Sequence, residues 1–183
     1  MKATGIVRRI DELGRIVIPK EIRKTLRIRE GDPLEIYTDR EGGVILKKYS
    51  PIGELFEYAR EFTESINRTL GHTAIICDRD MVVAASGLNK KAYIDASISE
   101  ELNLIIGERK GVMMNSASKK KVVPVINGED ISGVSSEFIA PVLSEGQPIG
   151  AVVIMSKKGK QLSEVEEMVA KTASGFMGMQ MEQ

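Results

Sequence analysis

The amino-acid sequence predicts an α+β fold in two parts: a small β-rich N-terminal section, then a helix leading into a larger mixed α/β section. Three observations carry this reading. The first is charge. Lys+Arg and Asp+Glu both number 26, yet residues 1–50 hold 12 bases against 8 acids and the rest of the chain holds 14 against 18. Only the first part suits a polyanion. The second is periodicity: short alternating runs up to Tyr49 give way to apolar spacings of three and four between Ile52 and Leu70. The third is punctuation, with turn residues at Gly31-Asp32-Pro33 and Gly42-Gly43 and a break at Ser50-Pro51.

Taken in order, the chain opens with a β-type run, a Leu13-Gly14 turn, a strand over Arg15–Ile18 and a short helix begun by Pro19. The turn Glu30-Gly31-Asp32-Pro33 leads to a strand at Leu34–Thr38, and Asp39–Gly43 returns the chain into Val44–Tyr49. Pro51 is well placed to start a helix over Ile52–Leu70 that Gly71 ends. Strands are expected at Thr73–Cys77 and Met81–Ser86 around the turn Asp78-Arg79-Asp80. A helix capped by Ser97 with Glu100 follows, then strands at Lys121–Ile126, Glu137–Leu143 and Ile149–Ser156. Ser163 with Glu166 caps a closing helix through Val165, Met168, Val169, Thr172 and Phe176.

The phrase LGRIVIPKEIR, set in a strand-turn-strand-helix order with many bases, resembles the AbrB-type swapped-hairpin DNA-binding domain. The run FIAPVLSEGQPIGAVVIM, from Phe138 to Met155, resembles the last hairpin of a GAF-type sensor domain. Together they resemble the two-part sporulation regulators of spore-forming Firmicutes. The fold expected from the resemblance is an interleaved swapped-hairpin β-domain (AbrB-like) over residues 1–50, a linking helix over 51–71 and a GAF-like mixed α/β domain over 72–183.

The resemblance assigns double-stranded DNA as partner and Arg8, Arg9, Arg15, Arg23 and Lys24 as the DNA-binding residues. Physical chemistry agrees, because guanidinium forks make charge-assisted bonds to phosphate and to guanine O6 and N7. Lys24, a point charge, favours phosphate. The helix after Pro19 would add N-terminal amides that favour anions. Arg27 and Arg29 are expected on the solvated surface, and Glu21 paired with a neighbouring base. No helix in this section is long enough to be a helix-turn-helix reader, so recognition is expected to lean on backbone contacts and DNA shape.

About 50 residues without cysteines or zinc ligands bury too little surface to stand alone. Self-association is therefore expected on physical grounds, and the resemblance implies a dimer of interleaved hairpins and a tetramer built from two dimers. The helix at Ile52–Leu70 either packs on its own domain or also meets its symmetry mate. The second part either senses a small-molecule effector, as a GAF-like domain would, or serves only assembly. With four Phe, four Tyr and no Trp, an aromatic cage for a purine is not evident. A competing class is an antitoxin-like DNA-binding module whose C-terminal part binds a protein partner. The 130-odd later residues, which read as folded, disfavour it.

An enzyme is not expected, and neither is a cofactor or a metal. His72 and Cys77 are the only residues of their kinds, too few for the usual transition-metal site. His72 reads as a polar or capping group, and Cys77 as a small core residue. The Gly pairs lack the Lys-Ser/Thr of a phosphate loop. Asp78, Asp80, Glu129 and Asp130 fall in turns and read as solvated, and Met113, Met114, Met177, Met179 and Met181 as adaptable packing. A GAF-based reductase would need redox cysteines. No apolar run is long enough to span a bilayer, and no export signal opens the chain, so the expectation is a cytoplasmic protein.

Overall fold

The computed structural model describes residues 5–116 and 121–182. The chain falls into two compact units, Met1–Tyr49 and Ser50–Gln183.

The first unit contains one short helix, α1 (Lys20–Thr25), and one antiparallel hairpin, β1 (Leu34–Thr38) with β2 (Val44–Lys48). Asp39 shapes the hairpin turn, its Oδ1 accepting the N–H of Glu41 (2.9 Å) and of Gly43 (2.7 Å). Lys48 fastens the hairpin to the exit of α1: its Nζ donates to the Arg27 carbonyl and pairs with Asp32, both at 3.0 Å. The strand expected at Arg15–Ile18 is not formed, nor is the β-type run before it. A strand exists through its neighbour's hydrogen bonds, and in the single chain this segment closes only a turn. There the Asp11 N–H donates to the Arg15 carbonyl at 3.0 Å and the Gly14 N–H to the Asp11 carbonyl at 2.9 Å. Apart from Pro19, no apolar side chain of residues 5–49 is buried.

The second unit is built on one five-stranded, wholly antiparallel sheet with order β4-β3-β7-β6-β5. Its strands are β3 (Thr73–Asp78), β4 (Val82–Ser86), β5 (Val112–Asn115), β6 (Val134–Ser144) and β7 (Gln147–Lys157). Alternation along β3, β6 and β7 serves two cores. Ile76, Phe138, Val152 and Ile154 face α2 (Pro51–Glu54), α3 (Phe56–Leu70) and α6 (Glu164–Gln180). Ile75, Ile139, Val153 and Met155 face α4 (Lys90–Tyr93), α5 (Glu100–Gly107) and the segment around Val125. Two glycines permit the closest approaches: a Cβ on Gly150 would lie 2.0 Å from the Cys77 carbonyl oxygen, and one on Gly178 2.2 Å from that of Leu143.

Several expectations are corrected here. The helix at Ile52–Leu70 is broken at Leu55, because Ser50 caps a four-residue turn of its own, accepting the Gly53 N–H at 3.0 Å. Gly71 does end α3, in the left-handed region at φ 71°. The cap of α5 is Ser99, whose Oγ accepts the Leu102 N–H at 3.0 Å. Ser97 instead bridges Met81. Lys121–Ile126 is not a strand, its only ladder contact being the bridge Ile98–Ile126. Val112–Asn115, for which no strand was expected, is an edge strand, and within it Met113 and Met114 pack against the two cores as expected. The Ser163–Glu166 capping box of α6 is present as expected.

Candidate nucleic-acid interface

The first unit presents all five expected DNA-binding side chains to solvent. Arg8 and Arg9 lie before the first turn, on a segment with no regular secondary structure. Arg15 leaves that turn, and Arg23 and Lys24 occupy the last turn of α1. Pro19 caps α1 without a side-chain hydrogen bond to its first amides. The first turn of α1 carries Glu21, and two of the five bases, Arg23 and Lys24, lie in its last turn. There they favour the negative C-terminal end of the helix dipole.

Among the described residues, Arg8, Arg9, Arg23 and Lys24 carry no ion pair, and neither does Glu21, against expectation. Arg15 alone is anchored, its Nε donating to Asp11 Oδ2 at 2.8 Å. The other Asp11 oxygen accepts the N–H groups of Leu13 (3.0 Å) and Arg15 (2.8 Å). The backbone N–H and then the guanidinium of Arg15 hold the Asp11 carboxyl below its usual range. Sequence reasoning counted Asp11 only as one acid among bases. Its spacing, four before an Arg with Gly14 between, was the signal for a turn organiser. Anchored at Nε, the Arg15 guanidinium keeps its outer N–H groups for a phosphate or a base edge. Arg27 is exposed, as expected, but Arg29 is half-buried, its N–H donating to Asp32 at 2.8 Å.

Residues singled out in the second unit take structural places. His72 is buried between the end of α3 and the start of α6, its Nε2 3.5 Å from Glu166 Oε1. Cys77 is buried in β3, and burial pushes its thiol up to about 12, far from a nucleophile's range. Asp78 is no solvated loop acid: it accepts the Ser50 hydroxyl at 2.6 Å and the N–H groups of Asp80 and Met81. Glu129 accepts the Tyr93 hydroxyl and the Val125 N–H (2.6 Å). Glu137, unremarked in the sequence, is wholly buried, and burial pushes its carboxyl up to about 8. No group of described residues could hold a metal ion, and no described helix is long and apolar enough to cross a membrane.

Comparison with known proteins defines the class. Residues 54–182 match the family "Stage V sporulation protein T C-terminal, transcription factor", and residues 7–54 match "Antidote-toxin recognition MazE, bacterial antitoxin". The chain is 54 % identical over 183 residues to stage V sporulation protein T of Bacillus subtilis, covering 100 % of both chains. It is 67 % identical over 51 residues to the transition state regulatory protein AbrB of the same organism, spanning 52 % of that protein. The GAF domain of an Acinetobacter phosphoenolpyruvate-protein phosphotransferase shares the fold, with a TM-score of 0.57 at 18 % identity over 69 % of this chain and 81 % of that one. The family match over residues 54–182 and the full-length relative make this a transcription factor, not an enzyme. The chain belongs to the stage V sporulation protein T family.

Proposed function

We propose that the chain regulates sporulation genes, as activator or repressor, by binding double-stranded DNA through a dimer of its first 50 residues. The two chains interleave their hairpins, so that Arg8, Arg9, Arg15, Arg23 and Lys24 of each contribute to one basic surface. The GAF-like part, residues 72–183, senses an effector or joins dimers into a tetramer, and residues 51–71 link the two domains. One observation carries the reading: the first unit exposes its bases and its apolar side chains together. Val7 is 88 % exposed, Leu13 75 % and Val17 73 %. Large apolar side chains exposed in such number mark a surface for a partner to cover, and a second copy would pair the unformed strand as well.

A second reading, an antitoxin whose later residues occupy a toxin, takes support from the match at residues 7–54. The folded second unit with its own family match weighs against it.

The test is DNA affinity against salt. If most of the ten bases of a dimer engage phosphates, log K should fall against log[salt] with a slope of roughly −4 to −8. Affinity flat with salt would remove the DNA assignment. A flexible Gly-Ser insertion between Tyr49 and Ser50 leaves the Ser50 cap intact. It should lower affinity only on sites needing two heads in fixed register and should abolish any effector response. Full response in that variant would reduce residues 51–71 to a tether.

A further inference from the structure

A cavity of about 370 Å³ lies on the Met155 side of the sheet, among α4, the end of β7 and the loop 126–133. This is near the lower end of ligand-pocket volumes, roughly 300–1,000 Å³, and suits an amino-acid-sized molecule. Buried Met155 and Tyr93, with half-buried Val134, give it apolar walls. Its charged lining is mixed: Glu129, Asp130 and Lys157.

The acids are set in place. Glu129 is held by Tyr93 and by the N–H groups of Val125 (2.6 Å) and Ile126 (3.3 Å). Asp130 Oδ1 accepts the Ser132 N–H at 2.9 Å, which keeps that carboxyl below its usual range and ionised. Glu137 is the cross-strand neighbour of Met155. Burial pushes its carboxyl up to about 8, so it adds little charge here at neutral pH. Lys157 is exposed and forms no ion pair with either acid or with any other described residue. Opposite charges therefore share one cavity without neutralising each other. A simple cation would be opposed by Lys157, and a simple anion by the two carboxylates. A molecule carrying both charges satisfies the two sets, and an apolar side chain would complete the fit.

We infer that this cavity binds a free α-amino acid with an apolar side chain. The ammonium lies toward Glu129 and Asp130, the carboxylate toward Lys157, and the side chain against Met155 and Tyr93. The inference rests on the sensing reading above and names its ligand class.

The test uses the full chain, with calorimetry and thermal unfolding against L-leucine, L-methionine, L-leucine methyl ester, N-acetyl-L-leucine and adenosine monophosphate. A free amino acid should bind and raise the unfolding midpoint, since a ligand that binds only the folded state stabilises it. Blocking either end should weaken binding about tenfold or more, the scale of one charge-assisted contact. Lys157→Met should weaken the free amino acid by a similar factor and leave the weak binding of the ester unchanged. Asp130→Asn, on an exposed residue, should weaken the amino acid and leave N-acetyl-leucine alone. Failure of every free amino acid, or an ester that binds as well as the acid, overturns the inference. Binding of adenosine monophosphate alone, sensitive to Lys157→Met, would also overturn it while leaving the sensing reading intact. Silence from every probe would overturn the inference and count against the sensing reading as well.

Discussion

The two units solve the problem of stability in opposite ways. Residues 50–183 bury Phe138, Ile154, Ile75 and Leu102 almost completely, with a core on each face of one sheet. Residues 5–49 leave Ile10, Leu13, Ile16, Val17, Ile36 and Val44 more than half exposed. Apolar burial is the main favourable term in folding. The second unit can therefore draw stability from its own sequence, whereas the first needs association. On the proposed dimer, the exposed apolar residues and the exposed bases of the first unit have one cause: a surface completed by a second chain, with charge left for DNA.

The largest effect that would break this comparison lies in the second unit. Phe138→Ala removes a large side chain at the centre of the α3/α6 core and should cost about 3–5 kcal/mol. Gly150→Ala should cost about 3 kcal/mol or more by overpacking against the Cys77 carbonyl. Urea unfolding read at the second unit checks both. A loss under about 1 kcal/mol for Phe138→Ala would mean that this core is not self-supporting.

Next come the bases. Arg15→Ala and Arg23→Ala should each weaken DNA binding several-fold, about 1 kcal/mol or more per charge-assisted contact, without changing the circular dichroism of the chain. Fluorescence anisotropy at fixed salt measures it. Unchanged affinity in both variants would remove these residues from the interface.

Glu137 sharpens the account of the second unit through pH. Its folded carboxyl titrates near 8, above the unfolded value of about 4.5. The folded state therefore binds the extra proton. Its stability is greatest below the unfolded pKa and declines as pH rises toward 8, then levels off. Glu137→Gln keeps an acceptor for the Val123 N–H, which lies 3.0 Å from Oε2. This variant should flatten that slope and be more stable than the parent at pH 8. An unchanged slope would mean that the carboxyl is not the group responsible.

The smallest expected effect is at Asp11. Asp11→Ala frees the Arg15 guanidinium and unties the turn, so DNA affinity should fall, but by less than in Arg15→Ala. A loss as large as that of Arg15→Ala would make Asp11 more than an orienting residue.

What the sequence made legible follows from the range of the forces involved. The Ser163–Glu166 box, the Gly71 stop and the β6–β7 hairpin rest on residues close in the chain, and each was readable. The break at Leu55 was not, because the apolar spacing runs through it unbroken while the Ser50 cap and its bond to Asp78 decide the local geometry. Val112–Asn115 became a strand only by pairing with β6, a contact that no local pattern announces. The exposure of the five bases follows from their place in a charge-rich section, and the LGRIVIPKEIR phrase takes in Arg15 and Arg23; that they contact DNA is the proposal made above. The burial of Glu137 and the shared cavity of Glu129, Asp130 and Lys157 come from elements distant in sequence. Turn acids and a strand acid look alike in sequence whether or not the fold encloses them.

The measurement that tests the central claim most directly is sedimentation with circular dichroism on the fragment of residues 1–50. The account predicts a folded dimer that loses structure on dilution, because its apolar side chains are covered only by the second copy. A folded monomer that keeps its structure at every concentration would contradict it.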